Sequence, residues 1–404
     1  MEIDPGYVQT EVGIMPQDWI VKPLWKLFIF SGGLSASRAQ LGDIGYCYLH
    51  YGDIHTSSKS FIDLDTQKAD LPKINIRLED VPTKFLLFDG DVVFVDASED
   101  DVGTSRHQVV RNPNGIPFIS GLHTIVAKSK GSDLLNNYKC YCFQTRSIMK
   151  QFLFYCVGTK VSGISKTNIK KILLPIPLVL EQEIIAEILS DTDDLIESLE
   201  QLIIKKHQIK QGTMQEMLTG KRRLPGFCDK WEEKKLEDIL DFERPDKYIV
   251  KSIEYSDMDE IPVLTANKSF ILGYTDEKDG IYNNYPVIIY DDFTTDKKYV
   301  DFPFKVKSSA IKILKPKNNK DNLQFIFGKM QLIIFSISDH KRYYISEYQH
   351  LQILMPKEKE QTAIAEILSE MDSEIASLED KLTKTRLVKQ GMMQELLSGR
   401  IRLL

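Results

Sequence analysis

The sequence predicts a mixed α/β (α+β) fold: two globules separated by two long antiparallel helices that form a coiled-coil-like spacer, with a pseudo-twofold internal repeat. Three observations predict it. A long segment occurs twice, both copies carry an apolar stripe at helical spacing, and β-branched, strand-like runs lie in the stretches between them. The first copy, EQEIIAEILSDTDDLIESLEQLIIKKHQIKQGTMQEMLTGKRRL, begins at Glu181. The second, EQTAIAEILSEMDSEIASLEDKLTKTRLVKQGMMQELLSGRIRL, begins at Glu360. Aligned without a gap at an offset of 179, they match at 24 of 44 positions, well beyond chance.

Each copy reads as one helix. In the second, Ile364, Leu368, Met371, Ile375, Leu378 and Leu382 recur at alternating steps of four and three; Ile185, Leu189, Thr192, Ile196, Leu199 and Ile203 are the equivalent stripe in the first. That spacing makes the seam of a helix pair. The alternative is a core helix private to each globule, but two copies of one stripe favour packing against each other. Neither copy has a proline, and neither has a glycine before Gly212 or Gly391. Roughly thirty residues at 1.5 Å each give a rod of about 45 Å. Gly220 and Gly399 stand where a left-handed glycine would end each helix. Gly212 and Gly391 each cost roughly 1 kcal/mol relative to alanine and read as a bend or a close backbone approach, against a tolerated surface glycine.

The predicted organisation is therefore a first globule (1–180), a first long helix (181–224), a second globule (225–359) and a second long helix (360–404). The repeat reaches past the helices. Trp19-Ile-Val-Lys22-Pro-Leu24 resembles Trp231-Glu-Glu-Lys234-Lys-Leu236, and Pro177 and Pro356 each stand four residues before the Glu-Gln pair. The globules themselves differ in length and share little sequence. GDVVFVDA and HTIVAK in the first, and IPVL, YPVIIYDD and SSAIKIL in the second, read as strands punctuated by Gly-Asp, Asn-Gly and Asp-Gly turns. The stretches 136–156 and 322–335 read equally well as helices or buried strands.

Composition narrows the function classes. An apolar content of 42% with 27% charged residues describes an ordered chain. There is no secretory start and no membrane-length apolar run, and the five cysteines are odd in number without CxxC spacing. Reduced thiols, a cytoplasmic location, no membrane and no metal site are the expectation. A net charge of −6 argues against a general nucleic-acid coat. By segment the balance is +1, −3, −2 and −2, so any DNA affinity must come from local patches or from a partner. Motifs for catalysis are missing: there is no phosphate loop, no dinucleotide fingerprint, no HExxH and no Asn-Pro-Pro-Tyr-type methyltransferase motif. Pro245-Asp246 followed by Asp276-Glu277-Lys278 mimics a PD…(D/E)xK nuclease pattern, a match that a chain rich in Asp and Lys produces by chance.

Together, YVQTEVGIMPQDW (7–19), the stretch SGISKTNIKKILLPIP, the two Glu-Gln helix openers, LTGKRRLPGF (218–227) and its shorter echo LSGRIRLL make the chain resemble specificity subunits of type I restriction–modification systems. The resemblance covers essentially the whole chain. It implies that each globule is a target-recognition domain for one half of a split double-stranded DNA site. It also implies that the helices set the unread spacer and dock methylation subunits, while restriction motor-nuclease subunits join the full complex. S-adenosylmethionine, ATP and Mg²⁺ would belong to those partners, and this chain would bind no cofactor and catalyse nothing. Two half-sites about one DNA turn apart need readers some 34–36 Å apart, the scale of such a rod. Readings from other classes are a single-chain Mg²⁺-dependent nuclease using Asp246, Asp276 and Lys278, and a coiled-coil protein-binding adaptor.

Base readout needs side chains that donate and accept at base edges, and phosphate contacts need cations. In the first globule the candidates are Tyr51 and His55, then Arg106, His107 and Gln108, then Lys160, Ser162, Lys166 and Asn168 in a loop free of acidic residues. In the second, residues 297–320 hold eight lysines and one acid, giving Lys297, Lys298, Lys305 and Lys307 as candidates, followed by Lys341 and Arg342. Asp291 and Asp292 could accept from cytosine amino groups or simply shape a turn.

Overall fold

A computed structural model describes residues 4–98, 103–158, 162–267, 269–337 and 341–403. The chain divides into two compact units, Met1–Leu199 with Lys381–Leu404, and Glu200–Asp380, so each long helix contributes to both.

The first unit contains β1 (Phe28–Gly32), β2 (Tyr46–Leu49), α1 (Tyr51–Thr56), β3 (Phe61–Asp63), β4 (Val92–Val95), β5 (His107–Arg111), β6 (Phe118–Ser120), β7 (Thr124–Ser129), α2 (Asn136–Cys142), α3 (Arg146–Tyr155) and the long α4 (Val179–Met217). Its main sheet has the order β1-β7-β4-β5-β3, antiparallel except between β5 and β3, and β6 lies parallel to β2 in a second sheet. The strand β4 reads VVFV and is buried on both faces. Val92 and Phe94 face α2, α3 and the start of α4, while Val93 and Val95 face β2 and β6. This is the two-residue period of a strand between two packed layers.

The second unit repeats the plan with β8 (Leu240–Glu243), β9 (Ile261–Leu264), β10 (Val287–Asp291), β11 (Lys297–Val300), β12 (Lys305–Val306), β13 (Ile311–Pro316), α5 (Leu323–Gln331) and the long α6 (Glu358–Leu396). The main sheet runs β8-β13-β10-β11, and β12 lies parallel to β9. Ile288 and Tyr290 face the helices, Val287 and Ile289 the smaller sheet. Both stretches that the sequence left open are helical. Side-chain caps open α3 and α5: Thr145 Oγ1 accepts from Ile148 N at 3.2 Å, and Asn322 Oδ1 from Phe325 N at 3.0 Å.

The long helices have 39 residues each, about 58 Å at 1.5 Å per residue, longer than the expected 45 Å because both begin two residues before the Glu-Gln pair and run on through Gly212 and Gly391 to Met217 and Leu396. They pair antiparallel. In the second unit Lys206 meets Glu374 and Lys210 meets Asp372; in the first Lys389 meets Asp193. Of the stripe, Ile185, Leu189, Leu199 and Ile203 of α4, and Ile364, Leu368, Ile375 and Leu382 of α6, are buried. Gly220 and Gly399 end the helices with φ of +75° and +71°. Gly212 and Gly391 correct the expectation of a close approach: a Cβ at either would meet nothing within 4 Å.

One buried joint recurs. Trp19 Nε1 donates to Glu181 at 2.8 Å, and Arg402 closes on the same carboxylate; Trp231 Nε1 donates to Glu360 at 3.2 Å, and Arg223 closes on it. Gln182 and Gln361 then bond the carbonyls of Pro177 and Pro356 and accept from Leu135 N and Asn322 N, fixing each long helix to a helix of its unit. Arg402 and Arg223 are themselves repeat equivalents. Each joint takes its arginine from the tail of the helix that belongs to the other half of the sequence.

Candidate nucleic-acid interface

Hydrogen bonds show that both units build the same rim at the end of the central strand. Asp96, just after β4, donates its N–H to the His123 carbonyl at 3.1 Å and accepts from Ile164 N at 2.8 Å. Asp292, just after the start of the β10 turn, donates to the Ala310 carbonyl at 3.0 Å and accepts from Tyr343 N at 2.8 Å. Gly121 N donates to the Leu49 carbonyl at 2.9 Å, and Lys307 N to the Leu264 carbonyl at 3.0 Å. The loop after β2 or β9, the turn before β7 or β13, and the segment leading out of the unit therefore meet at one edge in each.

In the first unit this rim gathers Tyr51, His55 and Arg106. The short α1 is held by its own cap: His50 Nδ1 accepts from Gly52 N at 3.1 Å, and Asp53 returns the bond to His50 N. Tyr51 lies edge-on to His55 and to His123, with ring centroids 6.0 and 5.4 Å away. The exposed Arg106 donates to the His55 carbonyl. Lys166 is exposed, whereas Asn168 donates to the Tyr155 carbonyl at 3.1 Å. Lys160 lies outside the described residues.

His107, Gln108 and Ser162 are corrections to the candidate set, because their side chains are buried. The His107 ring packs on Phe94 and Phe143, and burial pulls its pKa down to about 4, so it sits neutral in the core. Gln108 is 3% exposed on the opposite face of the same strand. Strand β5 begins at His107, which sends both side chains into packed layers.

The lysine-rich stretch of the second unit is also partly structural. Lys305 is a correction: its side chain is 1% exposed, 3.0 Å from Glu277, and it donates to the Asp279 carbonyl. Burial pushes the Glu277 carboxyl up, but hydrogen bonds from Ser252 N, Lys305 and Lys251 N outweigh it and hold the group low. Lys297 is half-buried, 3.2 Å from Tyr348 Oη, with its pKa lowered by burial. Lys312 and Lys315 pair with Asp292 and Glu243. Lys298 and Lys307 are half-exposed, and Lys307 lies over the Tyr255 ring. Lys341 is exposed and pairs with Glu347 at 2.6 Å; the exposed Arg342 lies over the Phe293 ring. Asp291 and Asp292 turn inward: Asp291 accepts from Phe293 N and Thr294 N, and Asp292 from Tyr344 N and Lys312. Turn chemistry, not base reading, is their role here. Among the described residues, the cations exposed or half-exposed at the rim, not the lysine count, define the candidate surface.

A model of the type I restriction modification DNA specificity domain matches twice, over residues 64–207 and 228–385, most of the chain. The chain belongs to that family. Type I specificity subunits recognise DNA for a complex whose catalysis resides in other subunits. A type I restriction enzyme specificity subunit of Escherichia coli is 42% identical over 176 residues, which span 42% of each chain. A Methanocaldococcus jannaschii chain provisionally described as such a subunit is 25% identical over 99% of this chain and 97% of its own. The crystal structure of the type I S subunit from M. genitalium has the same fold, with a TM-score of 0.60 at 15% identity over 98% of both chains. No helix among the described residues is long and apolar enough to cross a membrane, and no three His, Cys, Asp or Glu residues among them could hold a metal ion.

Proposed function

We propose that this specificity subunit reads an asymmetric, bipartite double-stranded DNA target, one half with the rim of each unit. The observation that carries the reading is one hydrogen-bonded frame presenting two unlike sets of side chains. Tyr51, His55 and Arg106 contact bases in the first half-site and Lys166 a phosphate. Arg342 contacts a base in the second, with Lys298, Lys307 and Lys341 on phosphates. Methylation subunits dock on the long helices, where Leu195, Ile204 and Ile209 of α4 and Leu387 and Val388 of α6 are exposed. Those partners carry S-adenosylmethionine and methylate adenine; restriction subunits bring ATP- and Mg²⁺-dependent cleavage in the same cytoplasmic complex.

Methylome sequencing of a host expressing the complex tests this. A split, non-palindromic methylated motif is expected, and replacing residues 231–356 by another reader should change one half only. Adding one turn, about 5.4 Å, to both helices should lengthen the spacer by one or two base pairs and leave both halves intact. A motif whose bases change with helix length would sink the reading.

A further inference from the structure

We infer that His123 determines one base pair of the half-site read by the first unit, through its Nε2 accepting from an exocyclic amino group in the major groove, adenine N6 or cytosine N4. The inference rests on the proposal that this unit reads DNA.

His123 lies in the turn between β6 and β7 with φ of +56°. Among the described residues only it and Thr295 are non-glycine residues with positive φ, and Thr295 lies in the equivalent unit's β10 turn, bonded to Asp291 O at 2.9 Å. Left-handed backbone is costly for any residue with a Cβ, and such residues persist where the surroundings hold them. Here the surroundings do. Leu122 N donates to Tyr48 Oη at 2.8 Å, and that hydroxyl donates to the Leu34 carbonyl at 2.6 Å. Thr124 Oγ1 donates to the Gly121 carbonyl at 2.6 Å. A Cβ on Gly33 would stand 1.8 Å from the Gly121 oxygen, and one on Gly121 would stand 2.5 Å from the Tyr48 ring. The turn has no room to shift.

The side chain is equally constrained. Its Nδ1 is 3.1 Å from Asp96 Oδ1, and the Tyr51 ring stands edge-on at 85°. A carboxylate at Nδ1 favours the proton there, which leaves the lone pair of the neutral ring on Nε2. The side chain is 49% exposed. An acceptor fixed in direction, on a rim beside Tyr51, His55 and Arg106, suits an amino group at a base edge. The frame does not require the imidazole, because the matching carbonyl in the second unit belongs to Ala310. Asp96 is the positioning residue.

The test uses the complex assembled with its methylation subunits, with methylomes and methylation rates on duplexes substituted at each position. Glycine relieves the strained backbone, so His123→Gly should fold with a melting temperature no lower than the wild type. It should lose discrimination at one base pair of one half-site, by roughly tenfold. Asp96→Ala should relax the same base pair, and Asp96→Asn, which still accepts at Nδ1, should keep it. Whether the relaxed pair is A·T or C·G tells which amino group is read. An unchanged motif, or a loss that spreads to the other half-site, overturns the assignment. A wild-type complex with no bipartite motif would instead remove the proposal beneath it.

Discussion

In the first unit the carboxylate after the central strand, Asp96, faces outward and meets His123; in the second its counterpart, Asp292, faces inward and meets Lys312, each side chain at most 4% exposed. Their backbones make the same bonds. Two residues further back along the central strand, the units agree. His107 opposite Phe94 and Lys297 opposite Tyr290 hold equivalent places, and both are driven toward the neutral form by burial. The lesson is that the frame is fixed by backbone bonds and apolar layers, which leaves rim side chains free to differ. A charged residue on that frame lies open on the rim or stiffens a loop according to which way its strand position points.

The largest effects should fall on the repeated joints. Arg223→Ala and Arg402→Ala each leave a buried glutamate, Glu360 or Glu181, without its cation, at a cost of roughly 3–5 kcal/mol. The two should cost alike in urea denaturation. A negligible loss for Arg402→Ala would break the equivalence of the joints.

His107 separates the units by pH. The unfolded imidazole binds a proton below about 6.5, whereas the folded one resists until about 4. Between those values the unfolded state holds more protons, so stability is full above about 6.5 and falls with the pH down to about 4, by about 3 kcal/mol. His107→Phe should flatten that slope in thermal melts across this window. Persistence of the slope would show that another group causes it.

Smaller effects sharpen the reading of the glycines. Gly212→Ala and Gly391→Ala, in open space within a helix, should stabilise by roughly 1 kcal/mol. Gly220→Ala and Gly399→Ala should destabilise by about the same amount or more, because both need positive φ. Differential scanning calorimetry of the four variants checks the sign of each.

The smallest changes concern DNA affinity. Lys166→Ala, Lys298→Ala and Lys307→Ala should each lower the slope of log affinity against log salt by about 1 in the assembled complex. Lys305→Met should lower stability and leave that slope alone, since its ammonium is held by Glu277. A reduced salt slope for Lys305→Met would return it to the interface.

The sequence by itself determined the twofold plan, the antiparallel helix pair and the glycine stops, because these rest on period, repetition and chain stiffness, all local properties. It also offered Tyr51 and His55, which the structure sets on the short α1, and Arg106, just before β5, as candidates that the fold brings to one edge. Only the tertiary structure decided that His107, Gln108 and Lys305 turn inward, since a strand sends neighbouring side chains to opposite faces and the strand boundaries at His107 and Lys305 carry no local mark. It alone joined Asp96 to His123, and Arg402 to Glu181, across 27 and 221 residues of chain. Pairings at that separation are set by which layers pack together, and no local pattern encodes them.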